Sequence, residues 1–294
     1  MSPLQKVALL GRGKLGTVLL TELLNANYPV TVLSRTTTPA TSLPPGATLH
    51  QVDYTSFEDL KTALTGHDTI ISTLAYSAMP LQKPIIDAAI AVGAKRFIPA
   101  EYGAMEIDPR ITYYKEPLEI RAYLAEKAER NEIEYAIFHA GVWMEVIFST
   151  PLIVDFEHRG VRVFDGGVHG FSVSRVRTLA RAIVASLEKR EETRNRVVRV
   201  HDAVLTQRGV LEMAKKCTPG EEWVEISVDA RKEVEELIEK TGERVDDLLW
   251  PGLFAAVLMS GGFGAQYRDV DNELLGIEMM SEEEIEEFSS GWKS

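Results

Sequence analysis

Gly11-Arg12-Gly13-Lys14-Leu15-Gly16 stands between an apolar segment and an amphipathic one, and this arrangement narrows the possible folds more than any other feature of the chain. Lys6-Val7-Ala8-Leu9-Leu10 is apolar enough for a buried parallel strand, and Leu15 to Asn25 has helical spacing with Leu15, Val18, Leu19 and Leu23 on one face. Between strand and helix, each glycine has a separate use. Gly11 allows the tight turn, Gly13 lets a pyrophosphate approach the backbone, and Gly16 lets the helix pack on the strand. The helix N-terminus then offers N–H groups and a positive dipole end to phosphates. A lone GxGxxG says little, but followed by a second strand at Pro29 to Leu33 it predicts a dinucleotide site built from Gly11, Arg12, Gly13, Lys14, Leu15 and Gly16.

The end of the second strand bears on the choice of dinucleotide. A site for NAD places Asp or Glu about 20 residues past the glycines, on the ribose 2′-hydroxyl. No acidic residue occurs between Asn25 and Asp53, and the strand ends instead in Ser34-Arg35-Thr36. Arginine is a permanent cation with a planar donor fork that suits phosphate. Arg35 is therefore expected to anchor the 2′-phosphate of NADP(H), with Ser34 or Thr36 as hydroxyl partner and Arg12 nearby.

Strand-like and helical segments alternate through the first half. The strands read as Val7–Leu10, Val30–Leu33, Thr48–Gln51, Thr69–Thr73, Arg96–Pro99 and Tyr135–His139; the helices read as Gly16–Asn25, Phe57–Leu64, Leu81–Val92 and Leu118–Asn131. Such a series predicts an α/β fold, a doubly wound parallel sheet with helices on both faces, and after about Pro151 the alternation is lost. Residues 1–150 are assigned to the first domain and 151–294 to the second, with a strand near 196–201 able to return to the sheet. Val228–Thr241 reads as a charged helix, and Ser281 to Glu287 as a capped surface helix.

In open α/β sheets ligands bind beyond the carboxyl ends of the strands. That rule nominates Asp53 and Tyr54 for the adenine, Thr73, Leu74, Ala75 and Tyr76 for the nicotinamide ribose, and Pro99, Ala100, Glu101, Tyr102 and Gly103 for the nicotinamide. His139, at the end of the sixth strand, faces the cleft by topology and is a candidate proton donor, with a satisfied structural histidine as the alternative. Tyr102, Trp143, Met144, Phe148, His169, Phe171 and Trp250 are candidates for an apolar substrate pocket.

The net charge of −12 argues against general nucleic-acid binding. The six histidines have no metal-ligand spacing, so no metal is expected, and the single cysteine, Cys217, excludes an intramolecular disulfide. No apolar run reaches the roughly 18 residues of a membrane span, and no signal-peptide pattern opens the chain. The expectation is a cytoplasmic protein, monomer or homodimer, that acts on a small molecule without nucleic-acid or membrane partners.

Val52-Asp53-Tyr54, Leu60-Lys61-Thr62-Ala63-Leu64, Gly66-His67-Asp68 and Ile71-Ser72-Thr73 resemble the atypical short-chain dehydrogenases of the NmrA and isoflavone reductase type. So do Gln82, Ile85-Ile86-Asp87-Ala88-Ala89 and the long stretch Gly93-Ala94-Lys95-Arg96-Phe97-Ile98-Pro99-Ala100-Glu101-Tyr102-Gly103. Ala140 to Glu145, Arg177 to Leu187 with Thr193-Arg194-Asn195, and Asp271 to Leu275 extend the resemblance over nearly the whole chain. It implies a Rossmann-type fold with a smaller α+β substrate domain, and NADPH-dependent reduction of aromatic or other secondary metabolites, with a catalytic lysine just before the helix after the fifth strand. Lys115 matches that lysine, and Tyr113 or Tyr114 stands beside it to bond the substrate. Ala100 replaces the family's common Ser, the glycine loop is GxGxxG rather than GxxGxxG, and the spacing from Lys115 to Tyr135 is longer than usual. Tyr123 and Lys127 fit the YxxxK spacing but stand amid charges close to the sixth strand. The resemblance leaves two alternatives to a reductase: a regulator of NmrA type that binds dinucleotide without turnover, and a non-redox rearrangement or cyclisation using NADP(H) as a bound element.

Overall fold

A computed structural model describes residues 6–35, 43–103, 110–111, 115–241 and 250–291. Its first strands and helices are β1 (Val7–Leu10), α1 (Lys14–Asn25), β2 (Val30–Ser34), β3 (Ala47–Gln51), α2 (Phe57–Leu64), β4 (Thr69–Ser72), α3 (Gln82–Ala91), β5 (Arg96–Ile98), α4 (Lys115–Glu129) and β6 (Glu134–His139). There follow β7 (Val142–Trp143), α5 (Met144–Ser149), β8 (Gly160–Phe164), β9 (Gly170–Ser174), α6 (Val176–Glu188), β10 (Arg196–Arg199), β11 (Ala203–Thr206), α7 (Gln207–Cys217), β12 (Val224–Val228), α8 (Ala230–Thr241), α9 (Trp250–Met259), α10 (Asn272–Leu275) and α11 (Glu282–Ser290).

Seven strands form one parallel sheet in the order β3-β2-β1-β4-β5-β6-β10. All of β1 is buried, as its uniformly apolar sequence requires of a central parallel strand. Side chains alternate across the sheet. Val7 and Leu9 join α1 and α6 in one core layer, while Ala8 and Leu10 join α2 and α3 in the other. Registers such as Leu10 with Leu33 and with Ser72, and Arg199 with His139, align the strand ends, so the loops that follow them share one rim.

β10 pairs with β6, and α6 packs on α1, so residues 176–199 return to this sheet after the chain has left it. A third core gathers β7, β9, β11, α5, α7 and α9 around Met144, Phe171 and Leu253. The charged helix read from Val228 to Thr241 is α8, and a strand that sequence reading did not find runs directly before it. Val224–Val228 is strand β12, parallel to β8, and α8 begins at Ala230, where the Asp229 carboxylate accepts the Lys232 N–H at 2.9 Å. Local patterning missed β12 because its partner, β8, lies about 60 residues earlier in the chain. Ser56, Thr206 and Ser281 cap α2, α7 and α11, the last through a capping box with Glu284.

Candidate functional site

A cleft of about 570 Å³ opens along the rim. It is lined by Gly11, Arg12, Gly13, Lys14 and Leu15 after β1, by Leu33, Ser34 and Arg35 at the end of β2, and by Tyr54 after β3. Thr73, Leu74, Ala75 and Tyr76 follow β4, Tyr102 follows β5, and Trp143 follows β6. Strand order sets the sequence of these groups along the rim. Arg35 stands toward one end, the glycine loop lies at the centre, and Tyr102 and Trp143 stand toward the other.

The glycines divide the work. Gly11 has φ +89°, a conformation that side chains resist. A Cβ on Gly16 would lie 2.6 Å from Thr73 Oγ1, so only glycine lets α1 close onto the loop here. Gly13 differs, because among the described residues no atom beyond its chain neighbours lies within 4 Å of where its Cβ would be. That open space adjoins the N-terminus of α1, which carries no side-chain cap. Among the described lining residues, Arg12, Lys14 and Arg35 are cations and none is a carboxylate. Open space, an uncapped helix start and three cations together fit a phosphate-bearing dinucleotide.

Several nominated residues build the cleft instead of reaching into it. Thr73 Oγ1 donates to the Leu10 and Gly11 carbonyls, each at 3.0 Å, which ties the β4 loop to the glycine loop. The Tyr54 hydroxyl donates to the Leu33 carbonyl at 2.8 Å, and burial pushes it above the usual phenol range. The Tyr102 hydroxyl donates to the Ser72 carbonyl at 2.8 Å, and burial likewise raises it. Asp53 is exposed and outside the lining set; its carboxylate closes a turn with Thr55, whose hydrogen bonds hold it below the usual carboxylate range. Pro99 is buried, and the Ala100 N–H donates to Gln82 Oε1 at 2.7 Å, so neither lines the cleft.

Glu101 and His139 form a buried cluster with Arg121 of α4. Arg121 Nε donates to both Glu101 oxygens at 2.8 and 2.9 Å, and Arg121 Nη2 donates to His139 Nε2 at 2.7 Å. An arginine has only donors, so Nε2 accepts and the neutral ring carries its proton on Nδ1. Burial would raise the Glu101 carboxyl, but the bonds and charge of Arg121 overcome it and hold it below the usual range. Burial holds His139 below the ordinary imidazole value despite the pull of Glu101. His139 is only 3% exposed and absent from the cleft lining, so its predicted role as proton donor meets a ring enclosed by Arg121, Glu101 and the backbone of Gly103.

Of the predicted pocket residues, Tyr102 and Trp143 line the cleft. Met144 and Phe171 are corrected to core positions, buried among apolar side chains of the third core, while Phe148 packs there and also lines a separate cavity with Phe156. Aromatic and Met residues satisfy either role in sequence, and here packing takes them. His169 lies beside Gly261, with Nε2 3.8 Å from the Asp165 carboxylate. Trp250 lines a separate apolar cavity of about 750 Å³ with Phe254. Lys115 is exposed at the start of α4, next to Glu116, whose carboxylate accepts from the cleft residue Tyr76 at 3.3 Å. Thr36, Tyr113 and Tyr114 lie outside the described residues.

The YxxxK pair has other partners. The Tyr123 hydroxyl bonds Asp87, and Lys127 pairs with Glu132 at 3.0 Å, its ammonium 5.2 Å from the Tyr123 ring centre. Sequence reasoning missed Leu33, which ends a strand whose following loop it had nominated, and Arg121, which reads locally as a solvated helix charge. Among the described residues no helix is long and apolar enough to cross a membrane, and no cluster of His, Cys, Asp or Glu is arranged to hold a metal.

A profile of the NAD(P)H-binding family matches residues 11–190. Oxidoreductase aprR of Aspergillus flavus is 29% identical over 271 residues, 88% of this chain and 89% of that protein. An isoflavone reductase crystal structure superposes with a TM-score of 0.77 at 18% identity, covering 98% of this chain and 99% of the other. The structure of AtPrR2 with NADP+ and (+)-pinoresinol gives a TM-score of 0.75 at 17% identity, over 99% and 100% of the two chains. The chain belongs to the NAD(P)H-binding family and has the Rossmann-type α/β fold of the isoflavone reductase structure.

Proposed function

We propose that this protein is an NADPH-dependent reductase that transfers a hydride to a small aromatic or alkaloid-like secondary metabolite bearing an imine, enone, ketone or benzylic ether. One observation carries the reading. The cleft combines an open cradle at Gly13 with Arg35 and Ser34 at the end of β2, and its described lining contains no carboxylate. Arg35, Ser34 and Arg12 would hold a 2′-phosphate, and the amides of the glycine loop and α1 would hold the pyrophosphate. When bound, NADPH supplies the hydride. The chain's own groups supply position and a proton: Tyr102 and Trp143 wall the far end, and Lys115 orients the ribose and assists proton transfer. Residues 151–294, apart from α6 and β10, form the substrate-binding part.

The oxidoreductase name of the Aspergillus flavus relative and the NADP+ in the AtPrR2 structure support this reading. A cofactor-sensing regulator without turnover draws on a different observation, that Lys115 is exposed and does not line the cleft. Incubation of the protein with NADPH and a panel of aromatic and alkaloid-like carbonyls and imines separates the two. Consumption of NADPH is the expected result; tight binding without consumption across the panel favours the regulator.

A further inference from the structure

The Tyr267 hydroxyl joins the two loops that carry the far wall of the cleft. It donates to the Gly103 carbonyl at 2.9 Å and accepts the Gly141 N–H at 3.0 Å. Gly103 follows Tyr102 directly, and Gly141 stands two residues before Trp143. Tyr267 itself is held from behind. Its N–H donates to Ser172 Oγ at 2.9 Å, Ser172 Oγ lies 2.9 Å from His201 Nδ1, and the His201 ring stacks on the Tyr267 ring at an angle of 10°. The loops leave no slack here. Gly141 has φ +67°, and a Cβ on it would stand 2.1 Å from the Ser172 carbonyl oxygen. A Cβ on Gly103 would stand 3.0 Å from His139 Nε2.

We propose that Tyr267 is a positioning residue: its hydroxyl sets the spacing of the β5 and β6 loops and so fixes Tyr102 and Trp143 at the end of the cleft remote from Arg35. The inference rests on the reading of the cleft as an NADPH site, with the nicotinamide at that end. Tyr267 touches neither the glycine loop nor Arg35 by any of these bonds. It therefore acts on placement of the reacting end and not on the bulk of dinucleotide affinity.

The test uses NADPH itself as probe. Tyr267→Phe keeps the ring and removes only the hydroxyl. The variant is expected to bind NADPH within roughly threefold of wild type, since no bond to the phosphate end is lost. The nicotinamide emission of bound NADPH should shorten in lifetime and lose anisotropy, and energy transfer to it from tryptophan should change. With any substrate that the wild type turns over, kcat should fall by up to about a hundredfold, the cost of misplacement by 1 Å, with KM little changed. Tyr123→Phe, which removes another bonded hydroxyl away from the cleft, should leave every one of these signals at the wild-type level. Should Tyr267→Phe not fold, Ser172→Ala frees the Tyr267 backbone while keeping its hydroxyl, and a smaller shift of the same sign is expected. Unchanged lifetime and anisotropy overturn the proposal. So does a fall in affinity and melting temperature together with no selective change at the nicotinamide, which marks an ordinary structural bond. If the wild type does not bind NADPH, the reading of the cleft falls and takes this inference with it.

Discussion

Gly16 packs against the Gly11 carbonyl so closely that a methyl group on Gly16 would lie 2.5 Å from that oxygen. The close approach seats α1 on the turn after β1. Gly16→Ala must push helix and loop apart, at a cost of about 1–3 kcal/mol, the usual range for overpacking. Thermal melting without ligand should show the loss. At Gly13 nothing among the described residues beyond its chain neighbours lies within 4 Å of the added carbon, so Gly13→Val should melt close to wild type. The same side chain fills the proposed phosphate cradle and should abolish NADPH binding. A Gly13→Val protein that still binds NADPH would show that the loop is no cradle.

Arg96 is fully buried, and its guanidinium gathers the end of α6 and the turn beyond it. It donates to Thr193 Oγ1 at 2.8 Å and, more weakly, to the Ser186, Arg190 and Thr193 carbonyls at 3.4–3.5 Å. Burial lowers its pKa to about 10, which still leaves it charged near neutrality. Arg96→Met removes the donors and strands the buried acceptors. The expected cost is about 2–4 kcal/mol, read from denaturant midpoints. A change below about 0.5 kcal/mol would mean that water or a rearranged turn satisfies the carbonyls.

His139 sets a pH dependence. Burial holds its pKa below the ordinary value of 6.5, so below pH 6.5 the unfolded chain binds a proton that the folded chain resists. This site therefore costs stability as pH falls through 6.5, and its contribution is complete above that pH. His139→Gln keeps an acceptor for Arg121 and removes the titration. Melting temperature measured between pH 7.5 and pH 5 should fall less steeply in the variant than in wild type. Equal slopes would show that His139 titrates alike in both states.

Lys115 and Lys127 give opposite expectations. Lys115→Met should keep most NADPH affinity while turnover falls by about 10²–10⁴, the scale of losing a general acid or base. Lys127 is engaged with Glu132 at 3.0 Å, and Lys127→Met should turn over like wild type. The reverse pattern in steady-state kinetics would move the active site to the outer face of α4.

The parallel sheet was legible because its signals are local. The apolar four residues of β1, the glycine turn and the 3.6-residue spacing of α1 all fall within one short window, and the same holds for β4 and α3. Arg196–Arg199 was readable as a strand able to return to the sheet, but its pairing with β6 was not, because the two lie about 60 residues apart. β12 and β11 were not readable, because each depends on a partner strand distant in sequence. In the cleft, the glycine loop, Ser34 and Arg35 were legible by position after their strands. The Glu101–Arg121–His139 cluster and the Tyr267 bridge were not. Arg121 looks like one more exposed charge on α4, and Tyr267 meets Gly103 across 164 positions of chain. Met144 and Phe171 illustrate the remaining ambiguity, since an apolar side chain fits a core and a pocket equally until packing decides.

The central claim, that this cleft holds NADPH by its 2′-phosphate, is tested most directly at Arg35. Fluorescence titration of Arg35→Ala with NADPH and with NADH compares two ligands that differ only in that phosphate. NADPH affinity should fall by roughly 1.5–3 kcal/mol, about ten- to a hundredfold, the scale of a hydrogen bond between charged groups. NADH affinity should stay near that of wild type. An equal loss for both ligands, or no loss for NADPH, would contradict the account.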